Sequence, residues 1–160
     1  MSNDFYNTSI LPHAGIIIKI CRAYTDTQED FEDFYQEACL QIWKSKDAFQ
    51  ERAKWSTWIY RIALNVCLTL AKKNNRKERV TDKIIESSEY NTAFQNENLQ
   101  ILYRAIKKLS DLDRAIILMY LEENPYKEIA TITGTSANNI AVRINRIKKQ
   151  LKTILDGKIN

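Results

Sequence analysis

Apolar residues recur every three or four positions along most of this chain, and this spacing limits what the chain can fold into. The clearest series consists of Ile140, Ile144, Ile147 and Leu151. Such spacing places side chains on one face of an α-helix. The 160 residues include only three Gly and two Pro, which are too few for a turn-rich β sandwich or barrel. The sequence therefore predicts an all-α protein.

The helical pattern is interrupted by a polar stretch in the middle of the chain, which is typical of a linker. Before the interruption, helices are predicted at residues 12–24, 28–43 and 55–73. We therefore expect a three-helix bundle in residues 1–76, a linker in residues 77–97 and a second small helical domain in residues 98–160.

The third predicted helix carries apolar and polar residues on different sides. Its polar side is expected to expose Thr57, Arg61 and Asn65, which are spaced by four. Its core face is predicted to consist of Trp55, Trp58, Ile59, Ile62, Ala63, Val66 and Leu70.

Charged residues are distributed unevenly. Residues 26–37 contain six acidic residues and no Lys or Arg, whereas residues 44–79 contain ten basic residues and three acidic ones. Residues 138–155 contain five more basic residues and no acid. The net charge of +4 is only mildly basic, so the positions of the charges indicate more about binding partners than the net charge does. One acidic and two basic surfaces indicate two kinds of partner.

The three cysteines, Cys21, Cys39 and Cys67, are odd in number, widely spaced and set among apolar residues. This pattern favours reduced, buried thiols over a disulfide framework or a zinc site. The sequence begins without a charged leader and apolar core, and its longest apolar stretch is too short to span a bilayer. We expect a cytoplasmic protein without membrane insertion.

Patterns typical of catalysis are absent from the sequence. His13 is the single histidine, and the chain has no Gly-rich phosphate loop, no metal-ligand spacing and no paired Cys and His. The acidic residues of the second helix are more typical of a docking face than of a general acid and base. We therefore expect no enzymatic activity, no cofactor and no metal.

Residues 125–151 predict a helix-turn-helix. A first helix of about two turns starts at Pro125, and Gly134 supplies the left-handed conformation that ends it. Ser136 then caps a second helix. The outer side of that second helix carries Asn, Arg and Lys, which can bond base edges and phosphates in duplex DNA. The predicted DNA-contacting residues are Ser136, Asn138, Asn139, Val142, Arg143, Asn145, Arg146 and Lys149.

Three segments together resemble the extracytoplasmic-function group of sigma factors, within the sigma-70 family. They are EDFEDFYQEACLQIW (29–43), WSTWIYRIALNVCLTLAKKNNR (55–76) and LSDLDRAIILMYLEENPYKEIATITGTSANNIAVRINRIKKQL (109–151). The last alone also resembles the DNA-binding domains of response-regulator activators. The resemblance implies two helical domains, region two and region four, joined by a linker. It also implies a protein that binds core RNA polymerase and directs promoter recognition and opening.

The resemblance assigns roles to the first domain. The acidic second helix would dock on the clamp helices of the largest polymerase subunit through Asp30, Asp33, Gln36, Glu37, Gln41 and Trp43. The third helix and the loop before it would bind the opened −10 element and capture a flipped base. The residues implied are Arg52, Lys54, Ser56, Thr57, Arg61, Asn65 and Lys72. Trp55 and Trp58 are expected to pack in the core rather than stack on bases.

In region four, the resemblance implies that the second helix of the helix-turn-helix enters the −35 major groove. Arg143 and Arg146 match basic positions found in the family. Ala141 stands where many members have a longer polar or basic side chain, and Asn145 where several have an aromatic one. The −35 sequence is therefore left open. The family also suggests an anti-sigma factor as a partner.

A second interpretation is a dimeric helix-turn-helix regulator that binds duplex DNA without being a polymerase subunit. Its first half would serve sensing or dimerisation. The basic residues at 44–79 would then have no evident use, which favours the sigma interpretation.

Overall fold

The computed structural model describes residues 3–81 and 97–159, with side chains for residues 3–74 and 97–157. The regular secondary structure of the described residues is helical and includes no strand, which confirms the all-α prediction. They form two compact units, one before and one after residues 82–96. Most of the predicted linker, 77–97, lies outside the described residues, and the predicted domain boundaries stay predictions.

The first unit begins with a short irregular helical segment. An α-helical turn at Asn3–Phe5 leads into a π-helical turn at Tyr6–Ile10 and a 3₁₀ turn at Leu11–His13. Three helices follow: α1 at Ala14–Ala23, α2 at Gln28–Lys44 and α3 at Trp55–Thr81.

Helix α2 begins with a side-chain cap. The Thr27 side chain accepts a hydrogen bond of 3.1 Å from the backbone N–H of Asp30. A cap of this kind satisfies one of the free N–H groups of the first turn and contributes about 1 kcal/mol. Helices α1, α2 and α3 then pack through Ile17, Ile20, Phe34, Ala38, Ile42, Ile59, Ala63 and Cys67, all of which are buried.

The buried face of α3 differs from the predicted one. Its most buried residues are Ile59, Tyr60, Ala63, Leu64, Cys67 and Ala71. Ile59 and Ala63 were predicted correctly, but Ile62, Val66 and Leu70 are only half-buried. The helix is therefore rotated so that Tyr60, Leu64 and Cys67 enter the core. Apolar residues on both sides of α3 allow either orientation, and packing against α1 and α2 selects this one.

The three cysteines are free and buried in the first unit, as predicted. The Sγ atoms of Cys67 and Cys21 are 3.8 Å apart, which fits a weak hydrogen bond and not a disulfide. Burial raises the pKa of the Cys39 thiol to about 11. The hydrogen bond to Cys21, together with burial, raises the pKa of Cys67 well above its ordinary value.

Within residues 97–159 the second unit contains four helices: α4 at Glu97–Lys107, α5 at Asp111–Leu121, α6 at Tyr126–Thr133 and α7 at Ala137–Ile159. Ser110 caps α5 by accepting a 3.2 Å hydrogen bond from the N–H of Asp113. Ile106, Ile116, Met119 and Ile129 are fully buried together with the predicted stripe of α7, Ile140, Ile144 and Ile147. Among residues 3–81 and 97–159, no helix has the length and apolar character needed to cross a membrane.

The buried thiols predict slow reaction with a thiol reagent. Only the thiolate reacts, and the raised pKa values of Cys39 and Cys67 leave little thiolate on these two residues at pH 8. Cys21 is fully buried, so a reagent cannot reach it in the native protein. We expect 5,5′-dithiobis(2-nitrobenzoate) to modify the native protein far more slowly than free cysteine. All three thiols should react once guanidinium unfolds the chain. A fast-reacting thiol in the native protein would show that one of them is accessible.

The left-handed conformation of Gly134 predicts that replacing this residue lowers stability. Its φ of +76° is in the left-handed region, and no atom lies within 4 Å of where a Cβ would be. Gly134→Ala should therefore cost about 1 kcal/mol of unfolding free energy through backbone strain alone. Gly157→Ala in helix α7, also free of close atoms, should be neutral or slightly stabilising. Urea denaturation of both variants measures the difference, and equal effects would contradict it.

Candidate nucleic-acid interface

A pocket of about 310 Å³ lies between α2 and α3 in the first unit. Half-buried Ile62, Val66 and Leu70 supply apolar lining, and Asn65 and Glu37 supply polar groups. The complete lining consists of Glu37, Gln41, Ser45, Ile62, Asn65, Val66, Thr69 and Leu70. The three apolar residues are those that the rotation of α3 leaves out of the core. An apolar slot with an amide in its lining has the chemistry needed to hold a nucleobase.

Aromatic packing fixes the end of the loop that joins α2 to α3. The Phe49 ring lies 5.1 Å from the Trp55 ring and 5.6 Å from the Trp58 ring, between centroids. Phe5 meets Trp55 edge to face at 6.3 Å, and the Trp55 indole N–H donates a 2.8 Å hydrogen bond to the Ser9 carbonyl. Both tryptophans are half-buried in this cluster, so the first turn of α3 is held by the initial helical segment.

The predicted −10 residues are mostly accessible. Arg61 and Asn65 lie on the outer side of α3, and one residue departs from the expected row: Thr57 is only 9% exposed. The prediction that Thr57 shares the exposed side is wrong, because it lies one turn before Tyr60 and two before Leu64, both buried. Ser56 is half-buried, and the exposed predicted residues are Arg52, Lys54, Arg61, Asn65 and Lys72.

The predicted docking face of α2 lies on the surface of the first unit. Asp33 and Gln36 are exposed, and Asp30, Glu37, Gln41 and Trp43 are half-buried. The Gln41 amide donates a 2.9 Å hydrogen bond to the Glu37 carboxylate. These two residues also line the pocket beside Asn65. From the sequence, Glu37 and Gln41 are predicted only on the docking face, because the pocket forms by packing between two helices.

The second unit contains the predicted helix-turn-helix, formed by α6 and α7. Gly134 ends α6 in the left-handed conformation, and the Thr135 N–H donates a 2.9 Å hydrogen bond to the Ala130 carbonyl. The Ser136 hydroxyl accepts a 3.2 Å hydrogen bond from the N–H of Asn139 and so caps α7. The predicted turn and cap are confirmed. They fix the direction in which α7 leaves the turn.

The outer side of α7 presents the predicted DNA-contacting residues. Arg143 is half-buried, and the exposed ones are Ser136, Asn138, Asn139, Val142, Asn145, Arg146 and Lys149. Val142 is 66% exposed, which is unusual for an apolar side chain and suits contact with a thymine methyl group. The Asn139 amide donates a 3.0 Å hydrogen bond to the Thr135 hydroxyl, so it is already oriented.

An acid at the start of α5 approaches the two arginines of α7. The carboxylate of Asp113 lies 3.9 Å from Arg143 Nη1 and 3.7 Å from Arg146 Nη2. Asp113 is not among the functional residues predicted from the sequence. Its pairing with α7 depends on the packing of two helices and leaves no local signal in the sequence.

Two family models match this chain in order. The description of the first is sigma-70 region 2, at residues 10–77, and that of the second is sigma-70 region 4, at residues 99–151. Together they cover most of the chain. The chain belongs to the sigma-70 family. Every predicted docking or DNA-contacting residue falls inside one of the two matched regions.

Curated sigma factors of the extracytoplasmic-function (ECF) type are similar to this family member. The ECF RNA polymerase sigma factor SigG of Mycobacterium tuberculosis is 24% identical, covering 89% of this chain and 46% of SigG. The ECF RNA polymerase sigma-E factor of Escherichia coli is 28% identical, covering 76% of this chain and 72% of sigma-E. The chain thus spans about half the length of SigG.

Solved sigma-factor structures share the fold. One is the sigma factor RpoE in complex with the anti-sigma factor NepR from Bartonella quintana, with a TM-score of 0.75 and 20% identity. The structural match covers 97% of this chain and 98% of the RpoE chain. Another is CnrH in complex with the cytosolic domain of CnrY, with a TM-score of 0.72 and 18% identity. It covers 98% of this chain and 90% of that one.

The exposed cations of α7 predict a salt-dependent interaction of this sigma-70 family member with DNA. Each phosphate contact contributes about 0.9 to the slope of log affinity against log salt concentration. Arg146→Ala and Lys149→Ala should each reduce that slope by about 1 in fluorescence anisotropy with a labelled duplex. Lys19→Ala, an exposed cation of α1, is the charge-matched control and should leave the slope unchanged. Equal slopes for all variants would place the DNA elsewhere.

Proposed function

We propose that this protein is an RNA polymerase sigma factor of the ECF type, which binds core RNA polymerase and directs promoter recognition and opening. The observation that carries the proposal is that Glu37, Gln41 and Asn65 line one pocket. Glu37 and Gln41 come from the proposed polymerase-docking helix, and Asn65 comes from the proposed −10 helix. A strand-capture site thus adjoins the surface on which polymerase docks.

The proposed docking surface is the accessible side of α2. Asp33 and Gln36 are exposed, and Asp30 is half-buried near the start of the helix. Core packing does not require an acid at Asp33, because the core contacts of α2 come from Phe34, Ala38 and Ile42. Exposed carboxylates attract a basic partner and raise its association rate. In this proposal the partner is the pair of clamp helices of the largest polymerase subunit.

The −10 strand would bind between the loop and the outer side of α3. Exposed Arg52 and Lys54 in the loop would contact phosphates, as would Arg61 on the helix. A base turned out of the duplex could then enter the pocket against Ile62, where the Asn65 amide can bond its edge. Thr57 is buried, so direct contact with the strand would need a local change, and Asn65 becomes the better candidate for base reading.

The −35 duplex would bind along α7. Asn138 and Arg146 present a donor set suited to base edges and phosphates, with Lys149 one turn further on. The helix N-terminus, capped by Ser136, adds backbone N–H groups directed at a phosphate. Contacts with phosphates would set the position and register of α7 on the duplex, and the few side chains at the start of α7 would set the sequence preference.

Further features of the proposal follow from the family. One similar solved structure is described as the sigma factor RpoE in complex with the anti-sigma factor NepR, and another as CnrH in complex with the cytosolic domain of CnrY. We propose an anti-sigma factor as a partner for this chain and the cytoplasm as its place of action. The polymerase would perform the chemistry, and this chain would contribute binding and positioning without being an enzyme.

Run-off transcription tests the proposal. Purified core polymerase, this protein and a promoter library should yield start sites that require the protein. Asp33→Lys should weaken them by reducing core binding, because it reverses a charge on the docking face. Asn65→Ala should weaken them at the opening step while leaving core binding intact. We expect a loss of about tenfold or more for each, equivalent to about 1.4 kcal/mol.

Two control variants match these changes. Glu97→Lys makes the same charge reversal on an exposed residue of the second unit, and Asn74→Ala removes an amide from another side of α3. Both should transcribe as the unmodified protein does. Absence of transcripts and of core binding, together with tight binding of a dimer to palindromic duplex DNA, would favour the dimeric regulator instead.

A further inference from the structure

Asp113 is a buried acid next to the cations of the DNA-reading helix. It lies in the first turn of α5, and its side chain is 11% exposed. Asp113 takes part in the Ser110 cap only through its backbone N–H, so the cap does not require the Asp113 carboxylate. Among the residues that the structure describes, Oδ1 of Asp113 makes no hydrogen bond. A buried oxygen without a hydrogen bond is costly unless nearby charges or another function compensate.

The charges that compensate belong to α7. Arg146 Nη2 is 3.7 Å away and Arg143 Nη1 is 3.9 Å away, both from Asp113 Oδ1. These distances exceed the 2.7–2.9 Å of a direct charge-assisted hydrogen bond. The carboxylate therefore attracts both guanidinium groups without using up their donors. Arg143 is still 34% exposed and Arg146 60% exposed, so both can reach a ligand outside α7.

We propose that Asp113 is a positioning residue that holds Arg143 and Arg146 for reading the −35 duplex and limits their attraction to unrelated DNA. This inference rests on the proposed function. A carboxylate between two cations lowers the net charge of the cluster, which weakens sequence-independent attraction to phosphate. It also restricts the rotamers of two long side chains, and base reading depends on their direction.

A purely structural role would have a different signature. Acids in the first turn of a helix stabilise it through the helix dipole, and Asp111 occupies the same turn of α5. Asp111→Asn therefore removes an equal charge at an equivalent place along the helix. Asp113→Asn keeps the size and the backbone cap of the native residue but removes the attraction to the arginines. Comparing the two separates positioning of α7 from stabilisation of α5.

The first test uses the full chain with core polymerase and a promoter library randomised at −35 and −10. We expect Asp113→Asn to reduce discrimination among −35 sequences about three- to tenfold, in keeping with the partial loss of one well-directed base contact. Discrimination at −10 should stay unchanged, and Asp111→Asn should match the unmodified protein. Unaltered −35 preferences in Asp113→Asn, or equal broadening in Asp111→Asn, would overturn the inference.

A second measurement does not depend on polymerase. Affinity of the full chain for a random-sequence duplex should rise severalfold in Asp113→Asn, and more than in Asp111→Asn. Adding Arg143→Ala and Arg146→Ala to Asp113→Asn should abolish the gain. If the unmodified protein directs no transcription but shows this pattern, the proposed function fails, while the part of the inference in which Asp113 limits attraction to duplex DNA holds. The inference about Asp113 would be overturned if Asp113→Asn and Asp111→Asn bound the duplex with equal affinity, or if no variant bound the duplex.

Thermal unfolding checks that the variants are folded. Asp113→Asn should unfold within a few degrees of the unmodified protein, because its backbone bond to Ser110 is kept. A large decrease in Tm in Asp113→Asn, accompanied by unchanged DNA preferences, would show that the acid serves stability alone and would contradict the proposal.

Discussion

Burial of one face of each helix determines which side chains the two small units offer to other molecules. Helix α3 is the clearest case. Because Tyr60, Leu64 and Cys67 enter the core, the residues on the opposite side must meet solvent or a partner. That side holds Arg61 and Asn65, and between the two faces lies a half-buried apolar margin. The pocket beside α2 exists because this margin is neither fully packed nor fully exposed. Core packing therefore creates the candidate strand site.

The same units place acids beside polar groups suited to nucleic acid. In the first unit Glu37 shares a pocket with Asn65, and in the second Asp113 lies near Arg143 and Arg146. Acids near a phosphate-binding surface reduce nonspecific attraction, which grows with every unpaired cation. The remaining selectivity must come from directed hydrogen bonds and shape. A net charge of only +4 is consistent with a protein that relies on such contacts more than on bulk charge.

Local features of this fold could be predicted from the sequence, and features that depend on contacts between helices could not. The turn at Gly134 and the cap at Ser136 involve residues within a few positions of each other, so their chemistry is visible in the sequence. The buried stripe of α7 was equally clear because polar residues surround it. Helix α3 has apolar residues on several sides. Periodicity alone therefore predicted the wrong rotation of the helix and wrongly predicted that Thr57 is exposed. The pairing of Asp113 with α7 joins residues thirty or more positions apart, which no local pattern reveals.

The position of Glu37 and Gln41 bears on the order of events in the proposed mechanism. They belong to the docking face of α2, and they also form one wall of the pocket that would receive a base. Their side chains are joined by a 2.9 Å hydrogen bond, so a partner that displaces one of them alters the wall. A ligand that binds at one site changes the affinity of a second site only if the protein's contacts at the second site differ between the ligand-bound and ligand-free protein. Docking of polymerase on α2 would supply such a difference directly, without a long-range pathway. The shared wall thus gives a physical reason for a sigma factor to engage a promoter strand after it has bound the polymerase.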